Sequence, residues 1–236
     1  MEIKSLSHTS PDELFEAFEQ AFADYEVQLN KAEHLTMFKR RGFNPKASFG
    51  AFDRDKLVSF TCNGIGNFYG VRAAYDTGTG TLKDYQGRGL ATQVFEYSIP
   101  YLRELGIEEY LLEVLQHNTG ALSVYRKLGF EITREFYYFK QKNKQVDRAV
   151  KALDCCYTLK SIKISEYSSI HKFWDFEPSW QNSFEAINNT LKDFICLGVF
   201  LESKLVGYGV FEPVSGDVTQ IAVDKEHRRK GIGSLL

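Results

Sequence analysis

Residues 83–102, KDYQGRGLATQVFEYSIPYL, place a glycine-rich turn before a run that contains no further Gly or Pro until Pro100. The turn is Gln86, Gly87, Arg88, Gly89, Leu90 and Ala91, with Thr92 behind it, and a helix is expected from Gly89 to Leu105, ended by Gly106. Glycines in such a turn let successive backbone N–H groups converge on an anion, aided by the positive end of the helix dipole. The third glycine of GxGxxG is missing and so is Gly-Lys-Ser/Thr, which argues against dinucleotide and nucleoside-triphosphate loops. A tight strand-to-helix turn with no ligand uses the same residues, so the flanking segments must decide.

Upstream, a short strand over residues 2–6 is followed by a helix that starts at Ser10, Pro11, Asp12 and Glu13, with Ser10 and Glu13 spaced for a capping box. A second helix runs over residues 32–41 and stops at Gly42, and SFGAFDRDKLVSFTCNGIGNF reads as two strands around Asp53 to Lys56. VRAAYDTGTGTL is strand-like but broken by glycines: Thr77, Thr79 and Thr81 share one face, Gly78 and Gly80 the other. That bare glycine face is expected to let a ligand approach the backbone closely. Downstream come a strand, IEEYLLEVLQ, a helix, NTGALSVYRKLG, ended by Gly129, and a strand, FEITREFYYFKQ. Helices alternate with strands, the order of an α/β protein with a mixed sheet.

Polar, basic KQKNKQVDRAVKA marks a connector, placed at 142–154 between domains at 1–141 and 155–236. Beyond it, YTLKSIKISEY is a strand, SWQNSFEAINNTL a helix, and DFICLGVFLESKLVGYGVFEP a hairpin around residues 202–204. GDVTQIAVDKEHRRKGIGSLL then repeats the order of strand, turn and helix start, so the chain contains an internal repeat.

The 236 residues suit one large or two ordinary domains, and 43% hydrophobic with 25% charged residues is the balance of a soluble globular protein. A net charge of −2 argues against a dedicated nucleic-acid binder. Cys62, Cys155, Cys156 and Cys196 lack metal-ligand spacing and read as reduced thiols, and no metal site is expected. No apolar signal core and no run of about 18 apolar residues is present, so a cytoplasmic protein without a membrane partner is expected.

Gln86 to Ala91 fits the Q/R-x-x-G-x-G/A signature of the GNAT family of N-acetyltransferases, and Arg228, Arg229, Lys230, Gly231, Ile232 and Gly233 fit it again. LLEVLQHNTGALSVYRKLGFEI resembles the second half of that family's domain, with Asn118, Ala121, Tyr125, Gly129 and Phe130 in the matching positions. The resemblance implies a GNAT fold, complete over residues 1–141 and partial in the second copy. It also implies an activity: transfer of an acetyl group from acetyl-CoA to a primary amine.

The roles follow from the resemblance residue by residue. The turn at 86–92 would hold the CoA pyrophosphate, the backbone around Thr79, Gly80 and Thr81 would pair with the pantetheine arm, and the Thr81 N–H would bond the thioester carbonyl. Asn118 would hold the cofactor and cap its helix; Tyr125 would protonate the departing sulfur. Glu113 would act as base through a water, with Asp76 and His117 as competitors. The acceptor side falls between Phe22 and Phe49, where mixed charge leaves a small amine, an amino acid, an aminoglycoside or a peptide N-terminus open. A homodimer is a possible assembly. The second copy has no counterpart of Asn118 or Tyr125 and is expected not to catalyse. The rival class is a noncatalytic acyl-CoA-binding or regulatory module on the same fold.

Overall fold

A computed structural model describes residues 1–26, 28–142, 156–167 and 169–236. It divides into two units, residues 1–133 with 183–189, and residues 134–182 with 190–236. Most of the connector at 142–154, and Cys155, lie outside the described residues.

The first unit holds a sheet in the order β1 (Glu2–Ser5), β2 (Phe49–Asp53), β3 (Lys56–Phe68), β4 (Val71–Thr81) and β5 (Glu109–Leu111). The first four strands pair antiparallel and β5 joins β4 in parallel. Its helices are α1 (Pro11–Ala21), α2 (Lys31–Arg40), α3 (Leu90–Glu104), α4 (Thr119–Lys127) and the short α5 (Phe184–Asn189). The capping box expected at α1 is present: Ser10 accepts from the Glu13 N–H at 3.2 Å, and Glu13 accepts from the Ser10 N–H at 2.8 Å. Asn30 and Glu33 build the same device at α2.

Helices cover both faces of the sheet. Phe60 and Cys62 of β3 pack with Leu14, Ala17, Phe18 and Phe22 of the α1 region and Phe38 of α2. On the opposite face, Phe49, Ala51 and Val58 pack with Leu90 and Val94 of α3. The glycine face of β4 is therefore a helix-packing face. A Cβ at Gly78 would meet Phe18 Cε2 at 2.6 Å, and one at Gly80 would meet Phe60 Cζ at 2.7 Å and Ala21 Cβ at 2.9 Å. A ligand is left the backbone of these residues, because α1 fills the space beside them.

Two expected strands differ. The one expected at 107–116 is confined to Glu109–Leu111, because its ladder with β4 ends at the Tyr75–Leu111 pair. Residues 130–141 alternate like a strand but form no ladder among the described residues, and Tyr137, Tyr138 and Phe139 are at least 85% exposed. A strand exists only where a neighbour supplies donors and acceptors, and β5 offers three residues.

The second unit holds an antiparallel sheet in the order β6 (Tyr157–Ser161), β7 (Ile195–Leu201), β8 (Lys204–Glu212) and β9 (Asp217–Val223), followed by α6 (Ile232–Leu235). Its core joins Val199 and Val206 to Ile232. A buried polar chain crosses it: Trp174 Nε1 donates to the Tyr208 hydroxyl, which donates to Gln220 Oε1. Burial pushes the Tyr208 phenol up to about 12.

The internal repeat extends to backbone detail. The β2–β3 hairpin turns through Arg54 and the β7–β8 hairpin through Glu202, each at φ 56°. The β3–β4 ladder shifts register between Cys62 and Asn63, and the β8–β9 ladder between Val210 and Phe211. These bulges fix the correspondence between copies: Asn63 faces Asp76 where Phe211 faces Val218, and Phe60 faces Gly80 where Tyr208 faces Ala222.

His34 of α2 is 1% exposed among Phe15, Phe18 and Phe38, and neither ring nitrogen has a hydrogen-bond partner. Burial pulls its pKa down from 6.5 to about 4. Between those values the unfolded chain binds a proton that the folded chain refuses, so stability falls as pH drops through that window. The effect is about 2 kcal/mol at pH 5. In His34→Phe, the difference in melting temperature between pH 7 and pH 5 should narrow; an unchanged difference would refute this account. Gly80→Ala should destabilise the protein by about 1–3 kcal/mol, because Ala21 can yield only if α1 moves. Chemical denaturation showing no loss would disprove the packing argument.

Candidate active site

The site begins where β4 leaves β5. Their pairing covers only Ala73 to Tyr75 against Glu109 to Leu111, while β4 stays paired with β3 as far as Thr81. From Asp76 onward one edge of β4 therefore faces a gap between diverging strands. Two carbonyls along it are engaged by side chains: Arg41 Nη1 donates to Thr77 O at 3.1 Å and Gln86 Nε2 to Thr81 O at 3.1 Å. The Thr81 hydroxyl lies 2.8 Å from Ser59 Oγ, so its side chain is held by β3.

Asp76 occupies the bulge and is 9% exposed. Its Oδ1 accepts from the Gly78 N–H at 2.9 Å, and its Oδ2 accepts from the Thr79 hydroxyl at 2.8 Å and the Tyr125 hydroxyl at 2.8 Å. Desolvation raises the Asp76 carboxyl above its ordinary range, opposed by those hydrogen bonds and by Arg41. Desolvation, with the Asp76 charge second, pushes the Tyr125 phenol well above 10.

Tyr125 reaches this place through the end of α4. Gly129, at φ 88°, turns the chain so that the Phe130 N–H bonds Tyr125 O at 3.0 Å. The Phe130 ring then packs against Phe95 of α3, Tyr110 of β5 and Tyr125 itself, at centroid distances of 5.3–5.5 Å. At the other end of α4, Asn118 Oδ1 accepts from the Ala121 N–H at 3.1 Å, the expected cap.

Glu113 lies exposed beyond β5 and is a hydrogen-bond partner of the buried Tyr75 phenol, which burial raises far above its usual value. His117 pairs with Glu26 at 2.8 Å on the surface, which places the loop after α1 beside the segment that leads into α4. Asp76, Thr79, Tyr125 and, through Tyr75, Glu113 thus gather at the strand gap. His117 stands outside that group.

At the far end of β4 the glycine turn opens α3. Gly87 and Gly89 have φ 74° and 72°, and nothing lies within 4 Å of a Cβ placed at Gly87. Gly89 is the N-cap of α3 and has no side chain to satisfy the first-turn N–H groups. Leu90 points into the core, Ala91 and Thr92 are half-buried, and Arg88 leans back, donating to Asp84 O at 2.7 Å. An uncapped helix of four turns behind two left-handed glycines fits a pyrophosphate. The second copy has the same path: Gln86 and Arg228 share φ and ψ within a few degrees. There Arg229, at φ 62°, stands for Gly87, a strain of roughly 1 kcal/mol for a residue with a Cβ.

The sequence profile of the Acetyltransferase (GNAT) family matches residues 12–130 and 156–236. The chain belongs to that family. Its two GNAT regions are the two copies of the repeat. Among relatives, it is 32% identical over 116 residues to N-alpha-acetyltransferase MAK3 of Arabidopsis thaliana, covering 48% of this chain and 61% of that protein. It is 34% identical over 91 residues to the probable N-acetyltransferase san of Drosophila melanogaster, covering 37% and 50%. The chain thus spans between half and two-thirds of the length of these curated relatives. A putative acetyltransferase from Agrobacterium tumefaciens str. C58 superposes on 60% of the chain, over 100% of its own length, with 17% identity and a TM-score of 0.46.

Several residues of this GNAT site escape a reading by motif. Asn63 accepts from the Tyr110 hydroxyl and donates to Ala47 O, joining β3 to β5 behind the gap. Tyr75 links Glu113 to the Arg41 guanidinium, which lies 5.8 Å from its ring. A polar Asn within the apolar run of β3 is the one signal visible beforehand. Among the described residues no cluster of three His, Cys, Asp or Glu side chains could hold a metal, and no helix is long and apolar enough to cross a membrane.

Proposed function

We propose that the protein is an N-acetyltransferase that moves an acetyl group from acetyl-CoA to a primary amine, and that the first copy, residues 1–141, carries the reaction. The observation that carries this reading is the continuous path from the uncapped start of α3, along the free edge of β4, to Tyr125 at the strand gap. The relatives, an N-alpha-acetyltransferase and a probable N-acetyltransferase, support it. A peptide N-terminus is accordingly the first acceptor class to try. Among the described residues Cys62, Cys156 and Cys196 are free thiols, which suits a reducing, cytoplasmic setting.

When bound, acetyl-CoA supplies an activated thioester; the chain supplies position and protons. Backbone N–H groups of residues 86–92 hold the pyrophosphate. The backbone of Thr79, Gly80 and Thr81 aligns the pantetheine arm, with the Thr81 N–H on the thioester oxygen as negative charge develops there. Asn118 holds the cofactor from the start of α4. Glu113, which is exposed, takes the amine proton through a water, since both Asp76 oxygens already accept hydrogen bonds and His117 is paired with Glu26. Tyr125 protonates the departing sulfur.

Calorimetry with acetyl-CoA, joined to a thiol-release assay over amines and peptide N-termini, tests the proposal. Binding without turnover on any acceptor would favour a noncatalytic acyl-CoA module, and absence of binding would end both readings. Tyr125→Phe should lower kcat by about a hundredfold with little change in acetyl-CoA affinity; parental turnover would remove Tyr125 from its role. Gly89→Glu should abolish CoA binding through added charge, while Gly89→Gln, equally strained at φ 72°, should retain more of it. Equal affinities in the two variants would show that no phosphate sits at this turn.

A further inference from the structure

We propose that Asp76 is the positioning residue of the Tyr125 hydroxyl, its buried carboxylate fixing the phenol oxygen at the parting of β4 and β5 and governing when that phenol releases its proton. The inference rests on the proposed acid role of Tyr125 and adds a second residue to it.

Three facts converge on Asp76. The carboxylate is 9% exposed, and the Tyr125 hydroxyl donates to its Oδ2 at 2.8 Å. The carboxylate is itself immobilised, because the Gly78 N–H and the Thr79 hydroxyl hold its two oxygens from the same turn of the bulge. The copy with the same bulge has Val218 in register at this place, so the backbone does not require a carboxylate here. A buried carboxylate that the fold does not need is costly unless its charge is used.

The consequence for Tyr125 is electrostatic. An anion in contact with a half-buried phenol opposes tyrosinate formation, so Tyr125 is still protonated when the C–S bond begins to break, and its proton moves only as negative charge develops on the sulfur. Other groups act on the pair. Arg41, at the end of α2, stabilises the charged Asp76. Tyr25 after α1 and Asp76 on β4 both oppose ionisation of Tyr125. Cys62 on β3 and Tyr110 on β5 feel the Asp76 charge, and Glu113 faces Tyr75. Thr79 also hydrogen-bonds the Tyr125 hydroxyl and favours its ionisation, against the larger effect of Asp76.

The test is tyrosinate absorbance on raising pH. The chain has 13 tyrosines, so the Tyr125 transition is isolated by subtracting a Tyr125→Phe version of each protein. In Asp76→Asn it should move to lower pH by about one unit or more, relative to the parent value or its lower bound. The same variant should lose about tenfold or more in kcat with acetyl-CoA KM within about twofold of the parent. Asp76→Ser removes the same charge and serves if Asp76→Asn does not fold. A Tyr125 transition that stays in place in the folded variant, or an unchanged kcat, overturns the proposal. Failure of the tyrosine reading would appear separately, as Tyr125→Phe retaining parental turnover while the titration still shifts.

Discussion

The divergence of β4 from β5 after Tyr75 is the constraint on which the first unit depends. A parallel pair that continued to Thr81 would consume the edge of β4 in a ladder and leave no backbone for a ligand. The strands part because β4 bulges at Asp76 and Thr77 against β3, which re-aims the strand at that point. Asn63, on the other side of the same bulge, receives the Tyr110 hydroxyl and so holds β5 one residue before its last pair with β4. One irregularity thus opens the gap, buries Asp76 beside it and braces the strand that leaves.

The space around the gap is set by aromatic side chains. Phe18 of α1 and Phe22 just after it lie on the glycine face of β4, closing one side. Phe130 lies among Phe95, Tyr110 and Tyr125 and draws the end of α4 towards the other side. Both contacts fix a helix to the sheet with weakly directional forces, and directional bonds hold the polar groups beside the gap: the cap at Asn118 and the three donors on Asp76. Rings also exclude water, which strengthens each hydrogen bond near Tyr125.

Much of this arrangement was legible in the sequence, for reasons that differ by element. The capping residues of α1, the hairpins and the glycines at 87, 89 and 129 follow from local stereochemistry, and a single sequence carries it. The helix cap at Asn118 was legible, and Tyr125 was singled out through the family resemblance that it shares with Gly129 and Phe130. The glycine face of Gly78 and Gly80 was visible but misread: an absent Cβ shows that something approaches the backbone without saying that it is Phe18, Phe22 and Ala21. The strand expected at 130–141 failed because alternation encodes a preference, and pairing depends on β5, whose length no local pattern sets. Asp76, Asn63 and Tyr75 act through tertiary contacts, so their polarity is readable beforehand and their partners are not.

The two copies separate what the fold needs from what the chemistry needs. Both have the hairpin turn at φ 56°, the bulge and the left-handed step into a helix, so these features belong to the architecture. Gly80 corresponds to Ala222 and Gly78 to Gln220, which donates to Asn182 O within the polar chain of the second unit. That face of the strand accepts helix packing in one copy and a hydrogen-bond chain in the other, as either satisfies burial. At the Asp76 position the choice is between a carboxylate shielded from water and Val218, 55% exposed. An apolar residue can occupy this bulge at no electrostatic cost, so the first copy holds a less stable option at the point nearest Tyr125. Selection for folding alone would remove it, and its place beside an ionisable phenol supplies the reason for keeping it.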